Sequence, residues 1–197
     1  MFFREEKLKR NLPNMLSSFR LISSPVVGYL LYKGNHCWAF VLYTFAAITD
    51  FLDGYTARKF SAEGEFGKIL DPVADKFLIL IPLGIFYLTD TTGDLYRPPL
   101  SLLVVLLLKE FLIVLGSLYF IAGEGKIPGP NLLGKFAVAN LLLYTGIILL
   151  LLCLGSAKFF KPFLDLWGNA IAFVLIGALI LYTVQFLKIR KEPWERG

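Results

Sequence analysis

Residues 48–77 read ITDFLDGYTARKFSAEGEFGKILDPVADKF, and this stretch places four aspartates between two long apolar segments. Apolar residues run almost continuously from Trp38 up to this stretch, and again from its end to Leu88. Runs of this kind predict α-helices rather than alternating strands. The connecting loop, roughly Phe60–Gly67, is short, so we expect the two helices to be antiparallel neighbours.

The rest of the chain repeats the apolar pattern. Of its 197 residues, 56% are hydrophobic and only 18% are charged, whereas about a quarter are charged in a typical soluble domain. A helix crosses the bilayer core with about 20 apolar residues. The sequence therefore predicts an all-α integral membrane protein with six transmembrane helices. The predicted spans are Pro13–Tyr32, Trp38–Leu52 with a polar continuation to about Arg58, Pro72–Leu88, Pro98–Ala122, Leu132–Leu154 and Phe163–Leu187.

The basic residues predict how these spans are oriented. Lys and Arg concentrate in four regions, which are 4–10, 58–68, 126–135 and 188–196. The intervening loops carry only Lys33, Arg97, Lys158 and Lys161. By the positive-inside rule both termini lie in the cytoplasm. The net charge of +5 is thus an orientation signal, and no nucleic-acid partner is expected.

We expect a single domain over residues 1–197, with six spans from about 13 to 187. Residues 1–11 predict a short amphipathic helix on the cytoplasmic leaflet, and residues 188–197 a cytoplasmic tail. A bacterial inner (plasma) membrane is the expected location, because no organelle-targeting extension precedes the first span.

The four aspartates are expected to converge near the cytoplasmic edge. Asp50 and Asp53 are three residues apart and Asp71 and Asp75 four apart, so each pair shares one helix face. Facing carboxylates near hydrocarbon would repel one another unless a cation joined them. Ligands that are all oxygen suit Mg²⁺ or Mn²⁺, whereas the absence of His and Cys from the set argues against zinc.

Small residues beside the aspartates predict room for a ligand. Gly54 and Ala57 leave an open patch, and Arg58 lies one turn after Gly54, where it can bind a phosphate in bidentate fashion. A metal cluster, a cation and a gap together indicate a nucleotide substrate that carries a diphosphate.

Structural alternatives exist for each of these features. Asp71 before Pro72 is a good helix N-cap, Asp53-Gly54 is compatible with a turn, and Gly54 with Ala57 suits close helix packing. An alternative of another class is a cation transporter, whose acidic site would lie near the midplane rather than at one edge.

The whole pattern Asp50-x2-Asp53-Gly54-x2-Ala57-Arg58-x8-Gly67-x3-Asp71-x3-Asp75 resembles the signature of the CDP-alcohol phosphatidyltransferase family. The N-terminal stretch Asn11-Leu12-Pro13-Asn14-x-Leu16-Ser17-x2-Arg20-x4-Pro25 and the LDPVADK sequence of residues 70–76 resemble the phosphatidylglycerophosphate synthase and cardiolipin synthase branch.

This resemblance implies an enzyme with a two-metal site of Mg²⁺ or Mn²⁺, working at the cytoplasmic face. The aspartates would be the metal ligands, and Asp75 would also be the general base. The residues implied to line the CDP pocket are Gly54, Ala57, Arg58, Gly67, Asn14 and Ser17. The implied reaction transfers a phosphatidyl group from CDP-diacylglycerol to glycerol 3-phosphate, giving phosphatidylglycerophosphate and CMP. A homodimer is expected by the same resemblance.

Three cations are candidates for the acceptor phosphate, namely Arg20, Lys109 and Lys135. Alternatives are an ion pair with a neighbouring span for Lys109, including the surroundings of Glu110, and snorkelling to the headgroups for Lys135. The branch often has Arg-Glu at the position of Lys109-Glu110, and Gly-Lys-x-Lys-Thr where this chain has Gly-Lys-Phe-Ala-Val at 134–138. Phosphatidylglycerol (as in cardiolipin synthesis) or another polyol phosphate therefore stays open as the acceptor.

The two cysteines, Cys37 and Cys153, are both expected near the outer face of the membrane. A bridge between them is conceivable, but the pattern alone does not decide whether they meet.

Overall fold

The computed structural model describes residues 18–60, 65–88, 96–122 and 131–191. It describes their side chains except those of residues 50–60, 65–73, 75, 117–122 and 189–191. The described residues form six α-helices. These are α1 over residues 18–32, α2 at His36–Phe60, α3 at Glu65–Leu88, α4 at Leu100–Ala122, α5 at Leu132–Cys153 and α6 at Lys161–Lys191.

The helix bounds confirm the all-α prediction and extend it. α2 continues to Phe60 and α3 begins at Glu65, so the loop predicted at Phe60–Gly67 is shorter than expected. The apolar runs missed these turns because hydropathy marks the apolar part of a helix, not its polar ends. α6 likewise continues beyond the predicted span to Lys191.

Two of the structural alternatives for the aspartates are excluded by these bounds. Asp71 and Pro72 lie well inside α3, so Asp71 is not the N-cap of that helix. Since proline has no N–H, Pro72 interrupts the helical hydrogen bonding at this point instead of starting the helix. Asp53 and Gly54 lie inside α2, and they do not form a turn.

Membrane-length helices occur among the residues that the structure describes. α5 and the Lys161–Lys188 part of α6 are long and apolar enough to cross a membrane. His36–Thr49 of α2 and Lys76–Leu88 of α3 are shorter apolar stretches. The six spans and the cytoplasmic position of both termini stay predictions.

The chain divides into two compact units, and one of the three boundaries between them falls within α5. Unit one comprises Met1–Arg97 and Thr145–Phe160, and unit two comprises Pro98–Tyr144 and Lys161–Gly197. The prediction of a single domain over 1–197 stays a prediction.

Unit one contains α1, α2, α3 and the end of α5. α1 approaches α3 closely at Gly28, where a methyl group would lie 2.6 Å from Cγ2 of Ile81. α2 and α3 are in contact, and since only residues 61–64 separate them, they form the expected antiparallel pair. Gly146 of α5 faces the buried ring of Tyr43 on α2.

A disulfide joins Cys37 to Cys153 in the same unit, with the two Cα atoms 4.5 Å apart. It connects the beginning of α2 to the end of α5. The pairing that the sequence left open is therefore present in the structure.

Unit two is built on the packing of α4 against α6. Small residues bring the elements together. Gly116 of α4 lies against Tyr182 and Phe186 of α6, and Gly168 of α6 lies against Pro99 and the hydroxyl of Tyr144. Ser101 donates a hydrogen bond of 2.8 Å to the Oδ1 atom of Asn169. This bond is a polar link between α4 and α6 near the start of α4.

Candidate active site

The backbone of α2 and α3 carries all four signature aspartates within one antiparallel pair of helices. Asp50 and Asp53 lie on α2, and Asp71 and Asp75 lie on α3. Because both segments are helical, the spacings of three and four residues place each pair on one helix face. The sequence thus predicted correctly which two helices carry the aspartates and that these helices are neighbours.

The described residues that directly precede Asp50 and Asp75 are interior. Thr49, which precedes Asp50, is buried, and its hydroxyl donates a 2.7 Å hydrogen bond to the carbonyl of Ala46. Ala74, which precedes Asp75, is fully buried. Each helix is therefore covered by protein at the residue before one of its signature aspartates.

The side chains of Asp50, Asp53, Asp71 and Asp75 lie outside the described residues, so their roles as metal ligands and base stay predictions. The chemistry of the donor set fits the implied metals, because four carboxylates supply the oxygen ligands that Mg²⁺ and Mn²⁺ prefer.

The residues predicted to line the CDP pocket divide into two groups. Gly54, Ala57 and Arg58 lie in the last turns of α2, and Gly67 lies in the first turn of α3. Gly67 is thus helical, although the sequence placed it in the loop. Asn14 and Ser17 lie outside the described residues, as do the side chains of Ala57 and Arg58.

Arg20 of α1 is buried in unit one, with 1% of its surface exposed. The hydroxyls of Ser23 and Ser24 both donate hydrogen bonds to the carbonyl of Arg20, at 3.1 and 2.7 Å. These two serines are therefore satisfied within their own helix. A buried arginine in an apolar helix marks a place where charge is needed, because burying it without purpose is costly.

Lys109 of α4 forms an ion pair with the next residue, Glu110. The Nζ atom lies 2.7 Å from Oε1, and the two side chains are 8% and 14% exposed. The sequence left open an ion pair between Lys109 and a neighbouring span, whereas this ion pair lies within α4 itself. The pair compensates two charges that would each be expensive in an apolar helix.

Lys135 is an exposed residue in the first turn of α5. Hydrogen bonds made by the side chain of Asn131 fix the position of that turn. The Oδ1 atom of Asn131 accepts a 2.6 Å hydrogen bond from the backbone N–H of Gly134, and its Nδ2 atom donates to the carbonyl of Ala178 on α6 at 2.9 Å. Asn131 is thus both the N-cap of α5 and a link to α6. Sequence reasoning missed this residue, although an asparagine directly before an apolar run is a typical N-cap signal.

We expect Asn131→Ala to destabilise the protein by about 1–2 kcal/mol, because it removes the cap and the link to α6 together. Thermal unfolding of the purified protein in detergent measures this. Asn140→Ala is the matched control, since within the described part of the chain the side chain of Asn140 donates to the carbonyl of Phe136 in its own helix. An equal loss in both variants would show that the cap and the link to Ala178 together contribute no more than one bond within a helix.

The three candidate cations for the acceptor belong to different parts of the chain. Arg20 belongs to unit one, whereas Lys109 and Lys135 belong to unit two. Their predicted convergence on one phosphate stays a prediction.

Residues 10–185 match the model of the family described as CDP-alcohol phosphatidyltransferase. The chain therefore belongs to the CDP-alcohol phosphatidyltransferase family, and it is a phosphatidyltransferase. This membership confirms the resemblance found in the signature and favours an enzyme over a cation transporter.

Three curated relatives are similar to most of this chain. The chain is 36% identical over 141 residues to the CDP-diacylglycerol–glycerol-3-phosphate 3-phosphatidyltransferase of Aquifex aeolicus, covering 70% of this chain and 76% of the relative. It is 34% identical over 148 residues to the enzyme of the same name from Cereibacter sphaeroides, covering 70% and 65%. It is 27% identical over 174 residues to the cardiolipin synthase (CMP-forming) of Homo sapiens, covering 88% of this chain and 51% of that protein.

Proposed function

We propose that this chain transfers the phosphatidyl group of CDP-diacylglycerol to glycerol 3-phosphate, giving phosphatidylglycerophosphate and CMP. The observation that carries the proposal is the similarity of most of the chain to enzymes named for this reaction. The four aspartates on the contacting helices α2 and α3 support it.

We place the enzyme in the inner (plasma) membrane with six spans, both termini in the cytoplasm and the aspartates at the cytoplasmic edge. The surface of α6 supports this placement. Leu166, Phe173 and Ile180 follow one another at seven-residue intervals and are 72%, 76% and 57% exposed. A helix face of this kind suits lipid better than water. The homodimer stays an expectation from the family resemblance.

The metal site of the proposal consists of Asp50, Asp53, Asp71 and Asp75. Two Mg²⁺ or Mn²⁺ ions held there would neutralise the diphosphate and the charge that develops on the departing CMP. Gly54, Ala57, Arg58 and Gly67, with Asn14 and Ser17, are the proposed contacts to the CDP moiety. Among them Arg58 supplies a positive charge for phosphate oxygens.

Asp75 is the proposed base of the transfer. The acceptor hydroxyl attacks the phosphorus that carries the diacylglycerol, and its oxygen forms the new P–O bond. The P–O bond to CMP breaks, and CMP leaves with the bonding electron pair. The carboxylate of Asp75 takes the proton of the attacking hydroxyl. The transfer reaction requires neither ATP nor a covalent enzyme intermediate.

Arg20, Lys109 and Lys135 are the proposed contacts to the phosphate of the acceptor. Lys135 is the simplest to test, because it is exposed and no salt bridge involving it is found among the described residues. Lys109, by contrast, already shares its charge with Glu110.

We expect Lys135→Gln to raise the KM for glycerol 3-phosphate about 10- to 100-fold, since a hydrogen bond to a charged group contributes about 1.5–3 kcal/mol. The kcat should change little, because the acceptor phosphate is held equally before and during the reaction. Steady-state CMP release at varied acceptor concentration gives both constants. Lys33→Gln is the control, because Lys33 lies in the exposed turn after α1. An unchanged KM in Lys135→Gln would remove Lys135 from the acceptor site.

Cardiolipin synthesis is the second candidate, with phosphatidylglycerol as the acceptor. The similarity to the human cardiolipin synthase favours it. So does the sequence at 136–138, Phe-Ala-Val, because it lacks the second lysine and the threonine that the phosphatidylglycerophosphate synthase branch often has.

Product analysis separates the two candidates. The purified protein is incubated with CDP-diacylglycerol and either glycerol 3-phosphate or phosphatidylglycerol, and the lipid products are identified by mass spectrometry. The proposal expects phosphatidylglycerophosphate in the first mixture and no cardiolipin in the second. Cardiolipin in the second mixture together with no product in the first would overturn it in favour of the second candidate.

A further inference from the structure

The Cys37–Cys153 disulfide lies at the opposite end of α2 from the signature aspartates. Cys37 is the second residue of α2, and Asp50 and Asp53 follow 13 and 16 residues later. At about 1.5 Å per residue the disulfide and the aspartates are separated by roughly 20–24 Å along the helix axis. This separation approaches the thickness of the hydrocarbon core, about 30 Å. In a membrane-spanning α2, the two ends therefore face opposite sides.

Two similar helix ends surround the disulfide and fix the positions of its cysteines. At the end of α1, Gly34 has a φ of 75°, and the N–H groups of Gly34 and Asn35 donate to the carbonyls of Leu31 and Leu30. This hydrogen-bond pattern is the Schellman motif, which ends a helix with a left-handed residue. α2 begins at the next residue, His36, so Cys37 follows directly.

The end of α5 has the same motif. Gly155 has a φ of 66°, and the N–H groups of Gly155 and Ser156 donate to the carbonyls of Leu152 and Leu151. Cys153 is the last residue of α5, directly before this turn. Further along the two helices, Gly146 of α5 packs against the ring of Tyr43 on α2. The helix ends and the packing therefore bring the two cysteines together across 116 residues of sequence.

Disulfides persist in oxidising compartments, whereas the thiols of cytosolic proteins are kept reduced. We propose that Cys37 and Cys153 are a site of oxidative modification on the extracytoplasmic side of the membrane, and that their disulfide joins α2 to α5 at the face opposite the active site. This inference rests on the membrane placement given under Proposed function. The disulfide indicates that the start of α2 and the end of α5 lie on the outer side of the membrane. This indication does not use the distribution of basic residues.

The oxidant is a disulfide-bearing oxidoreductase of the outer compartment. A thiolate of one cysteine attacks the disulfide of the oxidant and forms a mixed disulfide, releasing one thiol of the oxidant. The thiolate of the second cysteine then attacks the mixed disulfide, forming the Cys37–Cys153 bond and releasing the other thiol. Two electrons and two protons pass from the cysteine pair to the oxidant. Since the partners lie at the start of α2 and the end of α5, the bond forms after both helices are in place.

The test uses bacterial cells that keep an intact inner membrane but from which any outer membrane has been removed. The full chain in these cells is labelled with a membrane-impermeant maleimide that carries a polyethylene glycol chain, so that each labelled thiol increases the mass of the protein by the mass of one label. We expect no shift without reduction. After treatment of the intact cells with a membrane-impermeant reductant, we expect a shift of two labels. Labelling of both thiols without reduction would overturn the proposal, and so would labelling that appears only after the membrane is permeabilised.

Two variants calibrate the labelling. Cys37→Ser leaves Cys153 as a single thiol, which should be labelled from outside without any reductant. In the Cys37→Ser/Cys153→Ser background, Lys191→Cys puts a thiol at the end of α6, and it should be labelled only after permeabilisation because that end is proposed to be cytoplasmic.

CMP release in the same membranes distinguishes failure of this inference from failure of the proposed function. The Cys37→Ser/Cys153→Ser variant should still release CMP, because neither cysteine belongs to the active site. If CMP release persists while the labelling pattern fails, the disulfide assignment is wrong and the enzymatic proposal stands. If the labelling pattern is as expected but no CMP is released, the disulfide assignment stands and the enzymatic proposal is wrong.

Discussion

Replacing Asp75 with asparagine is expected to reduce CMP release from CDP-diacylglycerol by about 10³-fold or more, while the protein stays folded. A positioned general base contributes about 10²–10⁴-fold to a reaction of this kind, and Asp75→Asn also removes a proposed metal ligand. Asparagine has nearly the same size as aspartate, so helix α3 should pack as before. The measurement is the rate of CMP release in detergent, with thermal unfolding as the check on folding.

Asp165→Asn is the matched control for this variant. Asp165 lies near the start of α6 and outside the signature, and its backbone carbonyl accepts a hydrogen bond from Asn169. That bond survives the substitution because it involves the main chain. We expect Asp165→Asn to keep the wild-type rate. A folded Asp75→Asn protein that also keeps the wild-type rate would disprove the assignment of the base.

The second large effect is expected at Gly168, where α6 approaches its neighbours most tightly within unit two. A methyl group there would lie 2.7 Å from the hydroxyl of Tyr144 and 2.9 Å from Cδ of Pro99. The ring of Pro99 is rigid, and Tyr144 is fully buried, with its ring packed edge-on to Trp167. Neither group can move away easily, so Gly168→Ala should destabilise the protein by about 1–3 kcal/mol.

Gly177→Ala on the same helix provides the control, because a methyl group at Gly177 would have no neighbour within 4 Å among the described residues, apart from its own helix backbone. Since alanine favours a helix by up to about 1 kcal/mol over glycine, this variant should be neutral or more stable than the wild type. Tyr144→Phe in the Gly168→Ala background should recover part of the loss by removing the nearest oxygen. Thermal unfolding in detergent compares all three. Equal melting temperatures for the two alanine variants would contradict the close packing described for Gly168.

The fold was predictable from the sequence where hydrophobicity determines it. The apolar runs located all six helices, and the short connection after Arg58 predicted that α2 and α3 are neighbours. The polar ends of these helices were not predictable in the same way. The first turns of α3, from Glu65 to Asp71, are helical although no apolar run marks them. The sequence was therefore equally compatible with a helix that begins at Asp71 as its N-cap.

The features missed in the sequence depend on contacts between distant residues or on the choice of rotamers. Nothing in the sequence around Cys37 or Cys153 shows that helix ends 116 residues apart meet. Asn131 was recognisable as an N-cap, but its bond to the carbonyl of Ala178 follows only from the packing of two helices. The pairing of Lys109 with the adjacent Glu110 depends on the choice of rotamers in a buried helix. The aspartates, by contrast, were recognisable because their spacing alone matches a known signature.

The most direct test of the proposed function is CMP release from CDP-diacylglycerol by the purified wild-type protein, with and without glycerol 3-phosphate. Each mixture is assayed with Mg²⁺, with Mn²⁺ and with a chelator. We expect CMP only when both the divalent cation and glycerol 3-phosphate are present, together with an equal amount of phosphatidylglycerophosphate. CMP release that continues unchanged in the chelator, or no release with any acceptor and either metal, would contradict a metal-dependent transfer at the four aspartates.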